Sequence, residues 1–224
     1  MQLTNDTFRY GSVSRWLHWG TVALVIVLLV MGNAFDIEAD EPGSALYFWH
    51  GSLGVLVFVL AAARIIWLLF SRPPALPQST TRLTRVLARS THVALYALLF
   101  ALPVSGWLAA SAERAAVPFF GIATVPPWSG SAPPAARRAT RESKLTVTTH
   151  GGKNLTTEVG GEGENAFKEL HEILGNVLLA LATFHVLAAL KHHFVNRDDV
   201  LRRMLPRGRG VIGTPPPVSK HELT

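Results

Sequence analysis

The sequence predicts an all-α membrane protein: a four-transmembrane-helix bundle, both termini cytoplasmic, with a long irregular outer loop between helices three and four. The first observation is charge placement. Trp16–Phe35, Ala45–Ala63, Ser90–Ala112 and Ile173–Leu190 contain no Asp, Glu, Lys or Arg. Each run is long enough to cross a hydrocarbon core of roughly 30 Å as a helix. The second is composition: 49% hydrophobic and 16% charged in 224 residues is too apolar for an ordinary soluble domain. The third is an alternation of basic residues, which orients the spans. Arg9 and Arg15 precede the first run, whereas the loop after it holds Asp36, Glu38, Asp40 and Glu41 and no Lys or Arg. Arg72, Arg82, Arg85 and Arg89 fill the second loop, and Lys191, Arg197, Arg202, Arg203, Arg207, Arg209 and Lys220 fill the tail. The positive-inside rule then puts both termini and the second loop in the cytoplasm. The net charge of +6 follows from that bias. It implies no nucleic-acid partner, since no soluble domain is large enough to present a basic face.

In chain order, helices are expected at about 14–34, 45–70, 90–112 and 169–195, with the outer loop at about 113–168 and a cytoplasmic tail at about 196–224. Residues 1–224 thus read as one membrane domain. Arg15 followed by Val22–Val30 has the outline of a signal peptide, but no Ala-x-Ala follows, so the first span is expected to stay in place. Pro126-Pro127, Pro133-Pro134, Gly151-Gly152 and Gly160-Gly161 punctuate the outer loop and keep most of it irregular. Lys144–His150 and Leu155–Val159 are rich in Thr and Val and are expected to pair as a hairpin. Pro215–Pro217 marks a loose end. Trp16, Trp19, Trp49, Trp67 and Trp107 are expected mostly as interfacial anchors. The absence of Cys excludes disulfides, Cys-ligated zinc, iron–sulfur clusters and thioether-bound haem.

Ionisable groups inside a span are costly and therefore candidates for function. His171 and His185 are 14 residues apart on the fourth span, within roughly 40° of one face and about 21 Å apart along the axis. His18, a turn inside the first span, matches the depth of His185, and His50, near the outer end of the second, matches His171. Two imidazole pairs at two depths are what two bis-histidine haem b groups require, the bundle core supplying the apolar slot. Gly54, Gly175, Ala188 and Ala189 leave room beside their ligands, although small residues also suit plain helix contact. Arg64 follows His50 by 14 residues and would reach the propionates of the inner haem, or snorkel to lipid headgroups. His192, seven residues after His185, would meet a propionate or a quinone, or flank the membrane surface. His92 is the extra histidine at inner depth: a replacement for His18, a quinone contact or an interfacial residue. His150 and His221 are expected to be solvated. The bland alternative for all four ligands is that each imidazole merely bonds a carbonyl or a neighbouring helix.

Several stretches resemble the bacterial cytochrome b561 family. They are Arg15-Trp16-Leu17-His18-Trp19, His50 with Gly54 and Arg64, Ala101-Leu102-Pro103-Val104-Ser105-Gly106, and Leu170-His171-Glu172 with His185, His192-His193 and Leu201–Pro206. The resemblance covers all four spans. It implies a dihaem b-type cytochrome of the bacterial inner membrane, ligated by His18, His50, His171 and His185. It further implies electron transfer to the quinone pool, with superoxide oxidation coupled to ubiquinone reduction as one known activity. The outer loop looks longer than in short members, which leaves the outer-face donor open. Its Arg114, Arg137, Arg138, Arg141, Lys144, Lys153 and Lys168 would attract an anion, but Glu113, Glu142, Glu158, Glu162 and Glu164 offset them. Two further classes stay open: a haem-bearing anchor that passes electrons to a redox partner protein, as in hydrogenase and formate dehydrogenase cytochromes, and a non-haem, His-lined transporter.

Overall fold

The structure is a computed structural model that describes residues 2–6, 9–34, 44–74, 81–128, 145–148, 154–157, 162–197 and 199–205. The acidic first loop, His150, His221 and Pro215–Pro217 lie outside the described residues. Within them run α1 (Ser12–Ala34), α2 (Ala45–Phe70), α3 (Arg82–Ala112) and α4 (Glu162–Phe194). Among the described residues, four helices are long and apolar enough to cross a membrane. Their outer faces expose large apolar side chains such as Val30, Leu69 and Phe184. In water that would be costly; against acyl chains it is the expected surface.

Two helices begin earlier than their apolar runs. Helix α3 starts at Arg82, behind Thr81, whose side chain accepts the Thr84 N–H. Its 31 residues extend about 46 Å, well beyond a core of roughly 30 Å. Arg82, Arg85 and Arg89 are exposed on these extra turns, where hydropathy registers only the membrane-crossing part. Helix α4 likewise starts at Glu162, inside the segment expected as loop. Among the described residues, the rest of the loop also holds more regular structure than expected. Strands β1 (Val117–Phe119) and β2 (Ala123–Val125) pair antiparallel, Val117 opposite Val125. The turn is closed by Ile122 N–H donating to the Phe119 carbonyl at 3.0 Å. Phe120 and Gly121 both have positive φ, 49° and 70°, the hand that matches hairpin twist. The Thr/Val-rich pairing is present as β3 (Leu145–Thr148) against β4 (Asn154–Thr157), Leu145 opposite Thr157.

Helix α1 packs on α2, α2 on α3, and α3 along α4. At mid-depth Val57, Ala61 and Leu99 are buried together, with Leu24, Val25, Leu28 and Phe100 around them. At the end carrying the N-terminal segment, Asn5 ties that segment across the bundle. Its N–H donates to Ser71 Oγ (2.9 Å), its Nδ2 to the carbonyls of Ser71 and Arg72, and its Oδ1 accepts from Gly11 N–H and Ser14 Oγ. Trp67 Nε1 donates to Ser14 Oγ, and Trp19 Nε1 to the Met204 carbonyl. These two tryptophans, like Trp107 on Pro126, are tied to the protein's own chain as well as placed near span ends.

Candidate functional site

Helix fold and spacing bring the four histidines together in two pairs. His50 of α2 and His171 of α4 stand with ring centres 6.0 Å apart and planes inclined at 73°. His18 of α1 and His185 of α4 stand 6.5 Å apart at 72°. Two imidazoles on opposite sides of one metal, with bonds of about 2.0–2.1 Å and ring centres about 1.1 Å behind each nitrogen, would stand about 6.2–6.4 Å apart. Both pairs lie close to that separation. His92 is different: its ring centre is 5.1 Å from that of His185, too near to face it across a metal. Its Nδ1–H donates to the Ala88 carbonyl at 2.6 Å, so His92 packs edge-on against His185.

The outer pair opens into a cavity of about 440 Å³, a volume typical of cofactor and ligand pockets. Gly54 and Gly175 line it, and a Cβ added to either would meet nothing within 4 Å. Among the described residues, α4 lies along α3 but makes no comparable approach to α1 or α2. The paired imidazoles therefore reach across a slot rather than a packed interface. A flat macrocycle fits that slot, and the residues present fit a bis-histidine haem.

His171 is locked from behind. Its Nδ1 lies 3.0 Å from the Leu102 carbonyl and 3.0 Å from Ser105 Oγ, which itself donates to Leu102 O at 2.9 Å. A carbonyl only accepts, so Nδ1 carries the proton and Nε2 keeps its lone pair. Metal-bound histidines are usually oriented by such a bond to the outer nitrogen. Gly106 makes the approach possible: a Cβ there would stand 3.1 Å from His171 Cε1. In the inner pair, His18 Nδ1 is buried with no hydrogen-bond partner. Arg64 is an electrostatic neighbour of His18 and His185, and its guanidinium lies 5.4 Å from the ring centre of Tyr96. It thus stands at the depth expected of a propionate partner. His192 sits two turns beyond His185, with Nδ1 3.2 Å from Asn196 Nδ2. At the outer mouth Lys168 Nζ pairs with Glu113 Oε1 at 2.7 Å.

Sequence reasoning assigned no role to the Leu102 carbonyl, Ser105, Gly106 or Ser52. The readable signal was the small Ser105-Gly106 pair following Pro103, one turn of helix beyond Leu102. Among the described residues, no three His, Asp or Glu side chains gather to hold a bare metal ion.

Comparison with known proteins gives one family. The profile of the prokaryotic cytochrome b561 family matches residues 9–207. The chain is 29% identical over 220 residues to "Cytochrome b561 homolog 2" of Escherichia coli (strain K12), covering 95% of this chain and 100% of that protein. It is 26% identical over 206 residues to "Probable superoxide oxidase CybB" of Yersinia pestis, covering 90% and 98%. It is also 26% identical over 205 residues to "Cytochrome b561 homolog 1" of Escherichia coli (strain K12), covering 89% and 98%.

Proposed function

The chain belongs to the prokaryotic cytochrome b561 family, and from that premise we propose that it carries two b haems, held by His18–His185 and His50–His171, and passes electrons between a donor at the outer face and the quinone pool. The coarser part follows from membership itself: it is a multi-pass bacterial inner-membrane protein with a b-type haem electron-transfer role. The observation that carries the dihaem reading is the pair of imidazole separations, 6.0 and 6.5 Å, at two depths of one bundle.

Haem held by His18, His185, His50 and His171 would supply a one-electron Fe(III)/Fe(II) couple suited to electron transfer rather than oxygen binding. The chain's own residues do the rest. Leu102 and Ser105 hold the His171 ring by its Nδ1–H, which raises the basicity of Nε2. Gly54 and Gly175 keep the slot open, while the Val57, Ala61 and Leu99 cluster separates the two levels and excludes water. Arg64 supplies a fixed cation at the inner level, suited to carboxylates. His192 is assigned to the inner membrane surface, within reach of a quinone headgroup or a propionate. Superoxide is the donor this reading favours, because a relative bears the name of a probable superoxide oxidase and shares nearly the whole chain.

The test is a reduced-minus-oxidised spectrum of the detergent-purified protein with haem quantified per chain. Two low-spin b haems per chain support the assignment, with His18→Ala and His50→Ala each removing one. One haem per chain, or none after adequate haem supply, overturns it. Superoxide-dependent quinone reduction by the loaded protein then tests the donor.

A further inference from the structure

Residues 115–136 contain no Asp, Glu, Lys or Arg, between Arg114 and Arg137. A loop displayed to water for 22 residues would ordinarily carry charge. The described part of this stretch does not rise away from the bundle; it folds down beside α2. Ser52 is the marker of its depth. It lies about 10 Å along the helix axis from Ala45. Helix α2 has 26 residues, so it overshoots a core of roughly 30 Å by about 4–5 Å at each end when centred. Ser52 is then about 6 Å below the hydrocarbon boundary, and points roughly 160° away from His50 around the helix. On that far side it is fully buried, because the hairpin covers it. Ser52 Oγ donates to the Pro118 carbonyl at 3.2 Å and accepts Phe120 N–H at 3.0 Å. Val117 Cγ1 would stand 3.0 Å from a Cβ on Gly51, so the strand lies directly on the helix.

Backbone inside lipid must have its polar groups satisfied within the protein. This hairpin meets a large part of that demand around its turn. Ser52 serves Pro118 and Phe120, Ile122 N–H is taken by Phe119 O, and Pro118, Pro126 and Pro127 have no N–H to satisfy. The side chains match as well. Ile122 at the tip is 84% exposed and Trp128 65%. Phe120 packs against Trp49, ring centres 6.1 Å apart, on a face of α2 that is itself half exposed.

We propose that residues 117–128 form a re-entrant hairpin whose Phe120–Ile122 turn sits in lipid beside α2, so that the chain meets the bilayer through a fifth element besides its four spans. Lipid is the occupant because the patch is uncharged, level with the interior of a span and continuous with that span's lipid-facing surface. The proposal does not rest on haem binding, although Val117 and Val125 of the same hairpin also line the cavity beside His50.

The chain has no Cys, so Ile122→Cys gives a single attachment point for a nitroxide. In nanodiscs with one chain each, accessibility to oxygen and to a neutral nickel chelate is compared with Val59→Cys, exposed in mid-span, and Arg197→Cys, exposed beyond α4. The expected oxygen-to-nickel ratio at Ile122 matches Val59 and is severalfold above Arg197. A ratio like that of Arg197 places the tip in water, and protection from both reagents places it against protein; either overturns the proposal. The unsubstituted chain offers a second measurement, since trypsin cuts after Arg114 and Arg137. A lipophilic carbene precursor dissolved in the bilayer should label the peptide that spans residues 115–137, and an unlabelled peptide overturns the proposal whatever the variant does.

Discussion

Replacing Gly106 with Ala separates fold from site. The added Cβ would stand 3.1 Å from His171 Cε1 and 3.3 Å from Nδ1, against an ordinary carbon contact of about 3.5–4.0 Å. The ring must retreat by about 0.4 Å to restore contact. Its Nδ1 is held 3.0 Å from Leu102 O, so a retreat of that size carries the bond to about 3.4 Å, beyond the usual range. Losing it costs about 0.5–1.5 kcal/mol, and crowding a packed site adds about 1–3 kcal/mol. Against this, Ala in place of Gly in a helix interior gains up to about 1 kcal/mol. The fold should therefore persist while haem affinity at His50–His171 falls about 10–100-fold, the usual effect of disturbing a ligand's outer hydrogen bond. The His18–His185 level, about 21 Å away along α4, should be untouched and serves as internal control. The assay is a haem titration of the apo-protein followed by redox titration of the two components. Equal loss at both levels, or no change at the outer one, would refute the reasoning.

Gly11 is closed in by the backbone of Leu3 and Thr4, leaving no room for a Cβ. Gly11→Ala should expel the N-terminal segment and lower the thermal midpoint in detergent, whereas an unchanged midpoint would mean that the segment contributes nothing. Tyr10, just ahead of α1, has its phenol pushed above its ordinary 10.0 by burial, with Arg64 and then Arg203 pulling back. The folded state binds this proton more tightly than the unfolded state, so stability should drop as pH rises through about 10. Tyr10→Phe should flatten that drop in thermal melts between about pH 9 and 11, and an identical slope in both proteins would exclude Tyr10 as its source.

The spans were legible in the sequence because an uncharged run long enough to cross a bilayer is rare in a chain that folds in water. The partners His18–His185 and His50–His171 were legible for a related reason: depth is a one-dimensional coordinate, and helical rise converts residue numbers into it. What failed was whatever depended on a second element's backbone. The Leu102 carbonyl that holds His171 belongs to a residue with no polar side chain, so no residue type announces it. The β1–β2 hairpin was missed because its turn is Phe120-Gly121, and a Phe at positive φ is an uncommon choice where Asn or Gly is the usual signal. It is held there by Ser52, a residue 68 positions away. Helix ends were misjudged for a different reason: Arg82–Arg89 and the first turns of α4 continue the hydrogen-bond ladder into a region that hydropathy does not register.

The strap made by Asn5 also bears on how the molecule is born. Its partners just past α2, Ser71 and Arg72, are complete once the ribosome has passed the second span, so the first two helices can be stitched together early. Both imidazole pairs, in contrast, borrow one ring from α4. At about 5–20 residues per second, the last of those rings is made several seconds or more after the strap can close. During that interval α1 and α2 stand in the membrane as a finished pair with two half-built sites. Cofactor capture is thereby tied to arrival of the final span, and a chain truncated before His171 should insert and be stitched yet remain colourless.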